Sequence, residues 1–131
     1  MANPRTLLIT HPDCLQHVLT EHAESPDRLR SVLAAINASP ALASMAQRLA
    51  TAATDAELTL AHPLALIQQL QRLEPLAGAI MIDPDTYMSP GTVHAARLAA
   101  GACIEATRLV LNGEADRVFC AIRPPGHHAE I

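Results

Sequence analysis

A chain of 131 residues is long enough to bury one core and short for two. Half of its residues are hydrophobic, yet it holds one Phe, one Tyr and no Trp, so the core must be built from Ala, Leu, Ile, Val and Met. Nine Lys and Arg against thirteen Asp and Glu give a formal charge of −4, and no stretch interleaves clustered cations with aromatic platforms, which argues against nucleic acid as a partner.

The first five residues lack the basic start and apolar run of a secretory signal. No apolar stretch reaches the roughly 18 residues of a membrane span, so no membrane association and a cytoplasmic location are expected. Three widely spaced cysteines, Cys14, Cys103 and Cys120, contain no Cys-x-x-Cys pair and read as reduced, mostly buried thiols.

Residues 5–10 (RTLLIT) form a short apolar run closed by His11-Pro12, the pattern of a buried parallel strand leading into a loop. Ser25-Pro26 supplies an N-cap and a first-turn proline, and Leu29, Val32, Leu33 and Ile36 follow at helical spacing, predicting a helix over 26–37. Ser39-Pro40 repeats the signal ahead of a second, Ala-rich helix. Thr54 and Glu57 form a capping box before a short helical turn.

In 63–73, Leu66, Ile67, Leu70 and Leu73 lie on one side with Gln and Arg opposite, an amphipathic helix limited by Pro75. The polar, proline-punctuated stretch 83–91 reads as an ordered loop. Its end, Ser89-Pro90, opens a long helix that carries Ala96, Ala99, Ala100, Cys103, Ala106 and Leu109 and stops at Asn112-Gly113. Residues 117–122 (RVFCAI) are a second buried strand, ended by Arg123-Pro-Pro-Gly126. The two strands should be neighbouring and parallel, flanked by the helices that start near Pro26 and Pro90. The fold class expected is α/β, one contiguous piece of a layered fold.

Beyond that second strand stand His127 and His128, held by a turn of little backbone freedom. Two adjacent imidazoles repel each other as cations and share protons, which leaves one neutral enough to serve as a base. A surface His-His after a turn has the same local appearance. His11 and His22 find no Asp or third His at useful spacing, and His62 and His94 lie in separate segments, so these four are assigned to loop hydrogen bonds or the surface.

The stretch Arg123-Pro-Pro-Gly-His-His-Ala129 resembles the RPPGHHA signature of the family that unites histone deacetylases, acetoin-utilisation proteins and acetylpolyamine amidohydrolases. His22-Ala-Glu-Ser-Pro-Asp-Arg-Leu29 is similar to that family's HPERPDRL segment, with Ala23 and Ser25 departing from it. Asp83-Pro-Asp-Thr-Tyr87 and Ala95-Ala-Arg-Leu-Ala-Ala-Gly101 resemble the stretch that precedes the signature in bacterial and class II members. The resemblance runs in the family's order from about His11 to Ile131.

The resemblance implies part of an arginase- and deacetylase-like layered fold, with residues 1–131 as the amino-terminal part of a single deacetylase domain. It implies a zinc-dependent amidohydrolase whose partner is an acetylated amine, either acetyl-lysine or an acetylpolyamine. In that family a metal-bound water attacks the acetyl carbonyl. His128 matches the general base and His127 its electrostatic partner. Asp85, Arg28 and Gly126 match the substrate rim or product channel.

The family's zinc ligands, an Asp-x-His pair and a later Asp, fall downstream of the signature together with its oxyanion tyrosine, and are therefore expected beyond Ile131. No Asp-x-His occurs in this chain, and Tyr87 sits in another segment. Taken alone, these residues are expected to bind no Zn2+, to turn nothing over, and to form homo-oligomers through an open sheet edge. The alternatives are a truncated or degenerate deacetylase-like module acting in self-association or partner binding, and a dimanganese arginase-like hydrolase. The latter shares the layering but lacks the Pro-Pro-Gly-His-His turn.

Overall fold

The computed structural model describes residues 5–127. Strand β1 (Thr6–Thr10) is central to a parallel sheet ordered β2-β1-β5, where β2 is Ala46–Leu49 and β5 is Arg117–Ala121. Leu8 pairs with Gln47 on one side and with Phe119 on the other. A strand paired on both sides and covered on both faces needs apolar side chains throughout, and Leu7, Leu8 and Ile9 are all buried. The predicted adjacency and parallel pairing of the two apolar runs is what the chain adopts.

Helix α1 (Pro26–Ala38) starts with Ser25 in extended conformation at the N-cap position, although its hydroxyl makes no capping bond. Leu29 and Ile36 are buried and Leu33 packs on the core, while Val32 is exposed. The capping box is complete at α2 (Asp55–Leu58), where the Thr54 hydroxyl accepts from the Glu57 amide and the Glu57 carboxylate accepts from the Thr54 amide. Helix α3 (Leu64–Leu73) buries Ile67 and leaves Leu66 and Leu73 exposed, so less of its apolar side is covered than its periodicity predicts.

Helix α4 (Thr92–Leu111) ends at Asn112, and Gly113 takes a left-handed φ of 68°. Its N-cap is Gly91, also left-handed at φ 88°, rather than Ser89.

Two expectations need correction. The Ala-rich helix after Pro40 does not form: a short turn held by bonds from Leu42 and Ala43 to the Ser39 carbonyl leads into β2. The free edge of β1 offers ladder partners to this segment, and that pairing overrides its helical propensity. The polar stretch 83–91 is no plain loop, since β3 (Ile80–Asp83) and β4 (Thr86–Met88) form an antiparallel hairpin through it. Helix α4 buries Ala95, Leu98, Ala99, Ala102 and Leu109 and packs Ala106 on the core, while Ala96 and Cys103 face outward. With alanine on most sides of this helix, periodicity alone cannot choose a face. Of the thiols, Cys14 is fully buried, Cys120 is half-buried and Cys103 is exposed.

At Gly101 helix α4 comes into backbone contact with the irregular segment that follows β2. A Cβ there would overlap the Thr51 carbonyl oxygen and crowd the Ala53 amide, next to the bond that Ala53 donates to the Arg97 carbonyl at 2.9 Å. Both obstacles are backbone and cannot rotate away. Gly101→Ala is therefore expected to lower unfolding stability by about 1–3 kcal/mol, read as a lower urea midpoint at unchanged slope. A midpoint equal to wild type would show that this crossing is slack.

Candidate functional site

Because β1 and β5 run parallel, their carboxyl ends lie on one edge of the sheet, the edge where α/β proteins place their ligands. From β1 the chain passes His11 into a single 3-10 turn (Pro12–Leu15), whose first amide bonds back to the His11 ring at 3.1 Å. From β5 it passes Ile122 into Arg123, Pro124, Pro125 and Gly126, with a cis peptide between Arg123 and Pro124.

At this edge the chain buries a cation. Arg123 is 2% exposed. Its Nε donates to Glu24 Oε1 at 3.0 Å and its Nη2 to Glu24 Oε2 at 2.6 Å, a two-pronged pair. Nη1 donates to the carbonyls of Cys14 at 3.1 Å and His17 at 2.5 Å, and the second Nη2 hydrogen faces the Tyr87 hydroxyl at 3.5 Å. A guanidinium has five N–H donors, and each has an acceptor here.

Glu24 is the second node. Its backbone carbonyl accepts from the Tyr87 hydroxyl at 3.1 Å. Burial pushes its carboxyl up, but the Arg123 hydrogen bonds and positive charge outweigh that and hold it below the ordinary carboxylate range.

Tyr87 stacks on His17, with ring centres 4.1 Å apart and planes 9° from parallel, and meets the edge of His22 at 5.2 Å. Burial raises the Tyr87 hydroxyl's pKa, and the Glu24 carboxylate adds to this.

His17 is buried with Nδ1 at 2.9 Å from the Thr92 hydroxyl and Nε2 at 3.6 Å from Glu24 Oε2. The Ser89 hydroxyl spends its hydrogen on the Gln16 carbonyl while accepting from the Val18 amide. The Thr92 hydroxyl accepts from the Ser89 amide, lies 3.3 Å from the Ser89 hydroxyl and shares a hydrogen bond with His17 Nδ1. Burial, and after it the Arg123 charge, lower the His17 pKa from 6.5 to about 4, against the pull of Glu24. At neutral pH the ring is uncharged.

Around this cluster stand the residues singled out from sequence. Asp85 is exposed at the hairpin tip, with Oδ1 at 3.7 Å from His22 Nε2. The loop-capping role belongs to Asp83, whose carboxylate accepts from the Asp85 amide at 2.8 Å. His22 Nδ1 accepts from the Glu24 amide, and His11 bonds its own turn, as the assignment to loop hydrogen bonds expected. His94 is exposed and lies 3.1 Å from Asp13, and His62 is exposed. Arg28 is exposed on α1, and the buried guanidinium is that of Arg123. Gly126 and His127 are exposed beyond β5. His128 lies outside the described residues, and so does Ile131, beyond which the zinc ligands are expected.

From sequence, no site role fell to His17, Glu24, Ser89, Thr92 or Arg123. Only the arginine carried a usable signal, a cation placed directly after an apolar strand. Among the described residues no three His, Cys, Asp or Glu side chains gather into a metal-ligand set, so these residues do not by themselves fit a zinc ion. No described helix is long and apolar enough to cross a membrane.

The depressed His17 pKa fixes a sign for acid behaviour. The unfolded chain takes up the proton first, so the contribution of neutral His17 is complete above about pH 6.5 and is lost as pH falls toward about 4. The loss amounts to about 3 kcal/mol. Glu24, also depressed, adds a loss of the same sign as its folded value is crossed. Urea midpoints measured against pH should fall along this limb, and His17→Gln should flatten its upper part. A His17→Gln curve parallel to wild type from pH 7 to 4.5 would place the titration elsewhere.

Comparison with known proteins agrees with the fold and the turn. The model of the histone deacetylase domain family matches residues 22–131. A histone deacetylase-like amidohydrolase of Pseudomonas aeruginosa is 37% identical over 107 residues, covering 82% of this chain and 28% of that protein. A polyamine deacetylase, HDAC10, of Mus musculus is 33% identical over 129 residues, covering 95% of this chain and 18% of the other. The crystal structure of the HDA15 HD domain superposes with a TM-score of 0.88 at 29% identity, covering 99% of this chain and 38% of that one. The chain thus spans under a third of the length of these curated relatives. With the signature turn at the carboxyl edge of a parallel sheet and the family match running through it, the chain belongs to the histone deacetylase family.

Proposed function

We propose that residues 1–131 form the amino-terminal part of one domain of a zinc-dependent deacetylase, cytoplasmic in location, that hydrolyses the amide of acetyl-lysine or acetylpolyamine-type substrates. The observation that carries this reading is the RPPGHHA stretch, whose described part, 123–127, leaves the central sheet at its carboxyl edge behind buried Arg123. The names of the Pseudomonas amidohydrolase and the mouse polyamine deacetylase support the substrate class.

In this reading His128 takes the proton of the attacking water, and His127, exposed beside it, tunes that basicity through space. Asp85 at the hairpin tip accepts from the substrate's amide N–H. Gly126, with nothing within 4 Å of where a Cβ would stand, leaves room beside the histidines. Arg28 serves the outgoing acetate. When bound, zinc would supply Lewis-acid polarisation of the carbonyl; the described residues do not form its ligand set.

In the full-length protein, His128→Ala is expected to lower kcat on an acetyl-lysine or acetylpolyamine substrate by roughly a hundred- to ten-thousand-fold, with His127→Ala costing less. Metal content should stay at wild type in both, because neither histidine is assigned as a ligand. Loss of metal from His128→Ala at an unchanged rate per bound metal would instead make the pair ligands.

A self-associating role is the second reading, favoured by the sheet's open sides. Among the described residues β2 and β5 each pair on one side only, and they present Leu49 at 66% and Phe119 at 49% exposure. Strand edges of this kind pair with other chains. Light scattering on residues 1–131 at micromolar concentration should therefore report a dimer or larger species, and Phe119→Lys should shift it toward monomer. A wild-type monomer would remove this reading.

A further inference from the structure

Three segments proposed to carry chemistry meet at a single ion pair. The turn bearing His127 and His128 begins at Arg123, the helix bearing Arg28 is entered from Glu24, and the hairpin bearing Asp85 ends at Tyr87 and Met88. Arg123 and Glu24 bond through both carboxylate oxygens, and Glu24 takes the Tyr87 hydroxyl on its backbone carbonyl. Two further Arg123 bonds fasten the carbonyls of Cys14 and His17, in the segment that follows β1.

We infer that Arg123 and Glu24 are positioning residues, whose ion pair holds the histidine turn in register with the Asp85 hairpin; the inference rests on the deacetylase reading above. Stability alone does not account for such a pair, because a buried ion pair gains little over apolar side chains of the same volume. What it adds is direction, since a planar fork meets a carboxylate in one orientation. Pro124 and Pro125 have fixed φ, so a displacement of Arg123 passes on to Gly126 and His127 instead of being absorbed between them. At the hairpin, Tyr87 stacks on the face of His17 and meets His22 edge-on, and its hydroxyl bonds the Glu24 carbonyl two residues from Asp85.

The test compares Glu24→Gln and Arg123→Lys with a control, Arg97→Ala, which breaks an ion pair with Asp55 outside this cluster. Lysine keeps the charge of Arg123 but cannot span both carboxylate oxygens and two carbonyls. Hydrogen exchange on this chain should show the amides of Gly126 and His127 and those of 85–88 loosening together, by about tenfold or more, while Leu8 and Ile9 exchange as in wild type. In the full-length protein the same two variants should lower kcat on an acetylated substrate by roughly ten- to a hundredfold, with a much smaller change in KM, and the control should change neither.

Loosening of only one of the two segments, loosening shared by β1 or by the control, or an unchanged kcat despite loosening overturns the inference. Absence of turnover in the wild-type protein overturns the deacetylase reading, and the exchange result then still decides whether the pair couples the segments. Should Arg123→Lys fail to fold, Glu24→Gln, which keeps the shape of the carboxylate, carries the comparison.

Discussion

Burying one guanidinium at the carboxyl edge of a parallel sheet is the constraint on which this structure depends. A cation out of water is tolerated only with its donors filled and its charge opposed. Arg123 obtains that from Glu24, two backbone carbonyls and a tyrosine hydroxyl. These groups come from places far apart in the chain, so satisfying the arginine draws the segment after β1, the entry to α1 and the end of the hairpin to one point. The irregular backbone between the 3-10 turn and α1 has few ladder bonds of its own, and the arginine supplies its framework.

The central strand makes this burial possible. Leu7, Leu8 and Ile9 are covered on both faces, and the pairing of β5 beside β1 brings Arg123 directly over the end of that core. Helix α4 meets the segment after β2 at Gly101 and β5 at Ala102, and buries the small residues Ala95 and Ala99 beside them. Close packing of this kind needs no aromatic side chains, in keeping with a chain that has almost none. Its one buried tyrosine works through its hydroxyl and its ring face together.

The polar cluster behaves as a unit because each member limits its neighbour. Arg123 keeps Glu24 ionised, and burial with the same positive charge keeps His17 neutral, so its ring can lie flat on Tyr87 while sharing a hydrogen bond with Thr92. Protonating His17 would set a second cation beside the guanidinium, with one carboxylate to oppose both. The chemistry proposed for His127 and His128 thus stands on a base whose own histidine is kept from titrating near neutral pH.

What the sequence determined by itself was local or carried by a motif. The apolar runs at 6–10 and 117–121 named their strands, Ser25-Pro26 and Asn112-Gly113 marked helix ends, and Thr54 with Glu57 specified a capping box. The RPPGHHA stretch pointed to the family. Tertiary structure decided whatever needed a partner distant in the chain. Residues 46–49 became a strand because β1 had an edge to fill, and 80–88 became a hairpin whose Tyr87 and Met88 are buried against the rest of the fold. The face of α4 was settled by backbone contact at Gly101, since alanine on most sides leaves no face preferred. The cluster of Glu24, His17, Tyr87 and Arg123 stayed hidden for the same reason. Each is an ordinary polar residue in its own segment, and only burial of the arginine, which forces every donor and acceptor to be matched, turns them into one site.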